Sequence, residues 1–183
     1  MAHTEPEICG ELRAFDPLFA PVVASWVQTP AELRWLAPRT PHPLTPVKVV
    51  NWTKKTGEAF LLFQPQEALP CGYGELNPMK GDPSHLWIGH ILIDSQRRRE
   101  GLGRLLTDLL TRKAFEDEKA KKVSLVVFPD NKPALDCYVK CGYKIVAEEF
   151  QRFDSRTGPE RMVRLGKVAP YFVDHRAKTR TAQ

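Results

Sequence analysis

No stretch of the sequence stays apolar over the roughly 18 residues that a bilayer span requires, so nothing in it points to a membrane partner. Residues Met1 to Gly10 lack the basic start and apolar core of a secretory leader, which makes the cytoplasm the expected location. Neither charge sign dominates: 27 Lys and Arg face 22 Asp and Glu, a formal net charge of +5. So mild a balance suits an anionic small molecule as readily as nucleic acid. The basic residues gather at Arg97, Arg98, Arg99 and Arg104, and again at Arg176, Lys178 and Arg180. The four cysteines, Cys9, Cys71, Cys137 and Cys141, include no CxxC pair. No second close pair of Cys or His completes a tetrahedral metal site beside Cys137 and Cys141. They are therefore expected to be reduced and to pack as small hydrophobes, with no metal. Internal repeats and low-complexity tracts are also missing.

What is there is one domain's worth of chain: 183 residues, 42% hydrophobic, enough to bury a core. Residues 1–170 read as a single domain, and 171–183 as a basic, frayed tail. A first strand is expected over residues 8–15, a helix from Pro17 to Trp26, and a short helix from Ala31 to Leu36. Pro38, Pro41, Pro43 and Pro46 then impose a loop, whose Trp35 and His42 neighbours could line a pocket. Val47–Trp52, Ala59–Gln64, Cys71–Leu76 and Leu86–Ile93 read as strands, with a turn through Pro78, Gly81, Asp82 and Pro83. Leu102, Leu105, Leu106, Leu109 and Leu110 recur at helical spacing and predict an amphipathic helix from Gly101 to Lys119. Val123–Phe128 reads as a buried strand, Pro133–Cys141 as a helix stopped by Gly142. Tyr143–Phe150 and Arg161–Val168 read as strands, an antiparallel pair across the Asp154–Gly158 turn. This mixed order predicts an α/β (α+β) sheet with helices on its faces.

The most informative stretch runs from Ile91 through Arg98-x-x-Gly101-x-Gly103 into the leucine-rich helix. The first N–H groups of a helix lack intrahelical acceptors and sit at the positive end of its dipole, so they attract anions. Glycine lets a phosphate approach the backbone where a Cβ would collide. Taken alone, the Gly-x-Gly could equally be a tight turn. It lacks the third glycine of a dinucleotide fingerprint and the Gly-Lys-Ser/Thr of a Walker loop. A second stretch places Asn131 after the buried strand and Tyr138 two turns further on, before Gly142 and Tyr143. Asn131 carries donors and an acceptor suited to an amide-rich ligand, but it could equally be a helix cap, and Tyr138 a core residue.

Together the two stretches resemble the GNAT superfamily of N-acetyltransferases. Arg98-x-x-Gly101-x-Gly103 is similar to its acetyl-CoA motif, and Asn131, Ala134, Tyr138, Gly142 and Tyr143 to its Asn-x-x-Ala-x-x-x-Tyr-x-x-x-Gly-Phe/Tyr motif. The resemblance is strong from Leu86 to Phe150 and holds in outline before that. It implies a GNAT-like mixed central sheet of about six to seven strands flanked by about four helices. It implies an enzyme that moves the acetyl group of acetyl-CoA, its co-substrate, to a primary amine on a small molecule, a peptide N-terminus or a lysine. By the same resemblance, backbone groups of Ile91, Leu92 and Ile93 bond the pantetheine arm like an added strand. Arg98, Arg99, Glu100, Gly101, Leu102, Gly103 and Arg104 hold the pyrophosphate, the arginines adding charge. Asn131 contacts the pantetheine, and Tyr138 lies near the thioester sulfur. Dimers are common in the family, an analogy that leaves the assembly of this chain open.

The chemistry assigns further roles. A thiol has a pKa of about 8.5 and a tyrosine of about 10, so Tyr138 can reprotonate the departing thiolate. An alkyl amine is mostly charged at neutral pH and needs a base. Where family members carry a glutamate, this chain has Trp87 or Gly89 on one strand and Val126 on another. Glu75, His85 and His90 remain as candidates, His90 first because it lies on the strand next to the cofactor. Trp26, Trp35 and Trp52 could wall an acceptor pocket, although buried core is the preferred role for each. Two rival readings stay open: a module that holds acyl-CoA without turning it over, favoured by the missing glutamate, and a nucleic-acid-binding domain. The second lacks the interleaved aromatics of a single-strand platform. The anion-site reading predicts that Gly101→Asp abolishes acetyl-CoA binding in a calorimetric titration while the protein stays folded, since it sets bulk and negative charge against the pyrophosphate.

Overall fold

In the first third of the chain Asp16, Thr29 and Thr45 each cap a helical turn with a side-chain oxygen. A computed structural model describes residues 8–54, 57–153 and 158–170. After β1 (Glu11–Ala14), a 3-10 turn over Pro17–Phe19 is followed by α1 (Ala20–Ser25), α2 (Pro30–Leu36) and α3 (Pro46–Thr53). The predicted single helix from Pro17 to Trp26 is thus two pieces, because Pro21 in the first turn of α1 restarts the ladder. Thr29 caps α2 by accepting from the Glu32 N–H at 3.2 Å, with Pro30 in the first turn.

The segment Val47–Trp52, expected as a strand, is helix α3. Its run of β-branched residues favours a strand locally, but Thr45 accepts from the Lys48 N–H and Pro46 occupies the first turn. The helix then buries Val49 and Trp52, three residues apart on one face. Its position is tied to the preceding loop, where Lys48 Nζ donates to the carbonyls of Pro41 (2.6 Å) and Pro43 (2.7 Å).

The remaining elements are β2 (Glu58–Phe63), β3 (Gly72–Met79), β4 (Asp82–Ile93), a 3-10 turn at Ser95–Arg97, α4 (Leu102–Glu116), β5 (Lys122–Val127), α5 (Lys132–Lys140), β6 (Lys144–Gln151) and β7 (Glu160–Val168). The turn expected across Pro78–Pro83 is tighter than that: β3 runs to Met79 and β4 starts at Asp82, with Gly81 at φ +82° between them. The antiparallel pairing of the last two strands is as expected. Their connecting residues 154–157 and the basic tail 171–183 lie outside the described residues. Among the described residues no helix is long and apolar enough to cross a membrane.

Seven strands form one sheet in the order β1-β2-β3-β4-β5-β7-β6. All neighbours are antiparallel except β4 and β5. The mixed sheet with five α-helices agrees with the predicted fold class. Helices α4 and α5 cover one face, where Leu102, Leu106, Leu110, Val123, Leu125, Val163 and Leu165 make the larger core. Leu110 lies so close on β3 that a Cβ at Gly74 would come within 2.7 Å of its Cδ1. Helices α1 to α3 cover the other face, packing Val23, Leu33, Val49 and Trp52 against Leu61, Phe63, Tyr73 and Leu92.

Two irregularities in β4 shape the middle of the sheet. First, β4 and β5 pair only at His85–Lys122, Leu86–Val123 and Trp87–Ser124. Beyond Trp87, β4 stays with β3 and β5 stays with β7, so the β4 edge from Ile88 to Ile93 has no strand beside it. Second, Tyr73 faces Leu92 while Glu75 faces Gly89, which leaves β4 one residue longer than its partner. That extra residue makes a bulge, and His90 in it has φ +45°. Strand alternation from buried Ile88 would turn His90 toward α4. The bulge turns it to the opposite face.

Candidate active site

At the carboxyl end of β4 the backbone leaves a run of N–H groups in an arrangement able to hold an anion. Among the described residues, none of the N–H groups from Arg99 to Arg104 meets a backbone or side-chain acceptor. The first three of α4 belong to this set, at the positive end of a 15-residue helix. The chain enters through left-handed backbone at Arg99 (φ +70°) and Gly101 (φ +82°). Gly101 is the N-cap residue, has no side chain to compete for those donors, and suits a φ that other residues adopt only under strain.

The arginines around the cradle mostly serve to anchor it. Arg97 bonds Gln64 and pairs with Glu100 at 3.2 Å and Glu67 at 3.5 Å. Arg98 pairs with Glu32 of α2 and donates to the Trp26 carbonyl at 2.9 Å. Arg104 lies 3.7 Å from Asp108. Arg99 alone of this group is exposed with no partner among the described residues. The cluster that suggested nucleic acid is therefore largely engaged with the chain's own carboxylates.

Asn131 caps α5, accepting from the Ala134 N–H at 3.3 Å, so the capping reading holds, and its amide NH2 has no partner among the described residues. Tyr138, one face further along α5, is buried in the core beneath α4. Burial above all, with Cys137, Cys141 and Tyr143 beside it, pushes its phenol pKa up, so the hydroxyl keeps its proton. Cys137 and Cys141 are free thiols; Cys141 is buried in the same core, and Cys137 packs against it. Among the described residues no group of three His, Cys, Asp or Glu is placed to hold a metal ion.

On the other face, the bulge brings His90 and Glu75 together, with Nδ1 to Oε1 at 2.8 Å. Glu75 is only 5% exposed. Tyr73 donates to the same oxygen at 2.6 Å, and Asn77 reaches the second oxygen at 3.5 Å. Burial works to raise the Glu75 pKa, but the bond and charge of His90, with Tyr73 and Asn77, outweigh it and hold the carboxyl below its ordinary range. An ionised carboxylate only accepts, so the proton on that side of the ring belongs to His90 Nδ1. Nε2 is then the atom free to take and release a second proton. The ring is steadied by Trp52, stacked on it with centroids 4.4 Å apart, while Trp52 Nε1 donates to Thr40 at 2.9 Å.

The structure thus joins two of the candidate bases and leaves the third apart. His85 Nε2 lies 2.9 Å from Ser124 Oγ, which also accepts from Arg164 at 2.9 Å. Burial, then Arg164 and Lys122, lowers its pKa and favours the neutral ring. Trp87 lies over Gly89, whose Cβ would come 2.7 Å from the indole. Trp26 and Trp52 are buried core, as preferred, while Trp35 on α2 has a buried indole N–H with no partner among the described residues. Sequence reasoning passed over Tyr73, Asn77 and the stacking role of Trp52. The alternation of Tyr73, Glu75 and Asn77 along one strand was the available signal.

A run of unbonded N–H donors able to hold an anion, an unpaired strand edge and an oriented imidazole are parts that an acyl transfer to an amine can use. The dyad also carries a stability prediction. A carboxyl whose folded pKa is depressed stabilises the fold above its ordinary value of 4.5, and this is lost as pH falls toward the lower folded pKa. Glu75→Gln should cost about 1–3 kcal/mol at pH 7 in urea denaturation, and the deficit should shrink below about pH 4. A deficit independent of pH would mean that Glu75 is not ionised in the native protein.

Comparison with known proteins agrees with this fold. The family model described as "Acetyltransferase (GNAT) family" matches residues 27–143, more than half of the chain. No curated protein matches the sequence significantly. Among solved structures, a GNAT-family acetyltransferase from Bacillus anthracis aligns with TM-score 0.73 at 13% identity, over 88% of this chain and 97% of that one. The spermidine N-acetyltransferase of Vibrio cholerae, solved with CoA and spermine, gives TM-score 0.71 at 15% identity, over 87% and 95%. The ribosomal-protein-S5-alanine acetyltransferase of Vibrio fischeri gives 0.68 at 14%, over 88% and 93%. At such identities the likeness speaks for the fold alone.

Proposed function

The chain belongs to the GNAT family of acetyltransferases, and on that premise we propose that it transfers the acetyl group of acetyl-CoA to a primary amine. The observation that carries the reading is the juxtaposition in β4: a strand edge without a partner ends at a cradle of free N–H groups, and the Glu75–His90 dyad sits in the same strand's bulge. The N–H groups of Arg99 to Arg104 would hold the pyrophosphate, and the backbone of Ile91 to Ile93 the pantetheine, with the free Asn131 amide beside it. Acetyl-CoA, when bound, supplies a thioester whose carbonyl the amine attacks and whose thiolate leaves.

This chain's residues then divide the proton traffic. His90 Nε2 takes the proton of the attacking amine, and Glu75 holds the ring in the required tautomer and balances the charge it acquires. Tyr138, kept protonated by burial, donates its hydroxyl hydrogen toward the departing sulfur. The two act from opposite faces of the sheet, and the separation of β4 from β5 is the opening through which both could reach one reacting centre. The dyad also argues against a module that only holds acyl-CoA, a reading that rested on the missing glutamate. The relatives named above act on acceptors as different as spermidine and a ribosomal protein, so the fold passes on no acceptor.

The test follows thiol release with purified protein. Tyr138→Phe should leave the acetyl-CoA dissociation constant within about twofold and slow turnover roughly 10- to 100-fold, and His90→Gln should slow it by about 100-fold or more. Full activity of Tyr138→Phe with a good acceptor would remove the acid role from Tyr138.

A further inference from the structure

On the face of the sheet where an amine would enter, the chain's carboxylates are already bonded within the chain itself. On β7, Val163 and Leu165 point into the α4 core, so Glu160, Met162 and Arg164 alternate onto the face that carries the dyad. There Arg164 holds Glu149 of β6, and Arg34 of α2 holds both Glu160 and Asp130. Glu32, the acid of α2, is taken by Arg98, and Glu75 of β3 by His90. The carboxylates that α2, β3, β6 and β7 present on this side, with Asp130 beyond β5, are thus all paired.

Three aromatic rings nearby are taken as well. The Arg34 guanidinium lies 4.2 Å from the centroid of Phe128, and the Arg39 guanidinium 5.3 Å from that of Phe153. Trp52 is stacked by His90. A protein holds a polycation with free carboxylates or open aromatic faces, and here the carboxylates and three of the aromatic rings already have partners within the chain. Arg39, by contrast, is exposed and has no ion pair among the described residues. It precedes Thr40, the acceptor for Trp52 Nε1, and Trp52 in turn packs on His90, so its backbone is fixed close to the dyad.

Resting on the acetyl-transfer reading above, we infer that the acceptor is a small amine that itself bears a carboxylate, an amino acid rather than a polyamine, and that Arg39 selects it. The planar guanidinium fork matches a carboxylate with two parallel bonds, and Phe153 beneath it keeps the fork from collapsing onto the surface.

The experiment compares apolar amino acids, their methyl esters and spermidine as acceptors in a thiol-release assay, with acetyl-CoA affinity measured calorimetrically alongside. Amino acids should exceed both other classes in kcat/KM by at least about tenfold. Arg39→Gln should lower kcat/KM for the amino acid by about 10- to 100-fold, mostly through KM, with the ester rate and the acetyl-CoA affinity unchanged. Spermidine as the best acceptor, no turnover of any amino acid, or equal losses for acid and ester in Arg39→Gln would each overturn the inference while leaving acetyl transfer standing. Failure of the wild-type protein to bind acetyl-CoA would instead overturn the acetyl-transfer reading, and this inference with it.

Discussion

One additional residue in β4 is the constraint on which the site depends. Pairing Tyr73 with Leu92 but Glu75 with Gly89 forces a bulge, and the bulge does two things at once. It turns His90 from the α4 side of the sheet to the side where Glu75, Tyr73 and Asn77 wait, and it accompanies the parting of β4 from β5 after Trp87. A positive φ at a non-glycine residue costs free energy, of order 1–3 kcal/mol. That cost is carried by the buried hydrogen bonds of Glu75 and by the Trp52 ring stacked on His90. Without the bulge, β4 would present a histidine to a hydrophobic core and an edge to β5.

Charge in the molecule is arranged around the same strand. The anion cradle at its end is made from backbone donors rather than from free arginines, and the arginines are used as ties. Arg98 joins the cradle to α2 through Glu32, and Arg34 joins α2 to the far half of the sheet through Glu160 and Asp130. Helix α2 thus spans from the proposed cofactor end to the proposed acceptor side, held at both by guanidinium–carboxylate pairs. All three pairs have at least one member more than a third exposed, where solvent screening leaves little net stabilisation, so their part is to fix position more than to add stability.

The sequence made the local parts of this arrangement legible. Gly101 and Gly103 before a leucine-periodic helix, and Asn131 seven residues before Tyr138, are short-range patterns whose physics is contained in one strand–helix junction each. Helix α4, strands β5 to β7 and the mixed sheet could be read for the same reason. Val47–Trp52 could not, because Val47, Val49 and Val50 favour a strand locally while the cap at Thr45 and the burial of Trp52 decide for a helix. The dyad was visible only as two separate residues: Glu75 and His90 meet through a bulge that shifts the pairing register, and alternation alone sends His90 to the wrong face. Register is set by contacts between strands, and no window along the chain contains it. The pairing of Arg34 with Glu160 has the same character, being made between α2 and the last strand.

The most direct measurement of the central claim is an amide chemical-shift titration of the isotopically labelled protein with desulfo-CoA, a non-reactive analogue. The account predicts that the amides of Arg99 to Arg104 and of Ile91 to Ile93 shift together and saturate, with the β1 edge of the sheet unmoved. Saturable shifts confined to other surfaces, or none at millimolar ligand, would contradict the cradle and the open β4 edge as the place where the acyl donor binds.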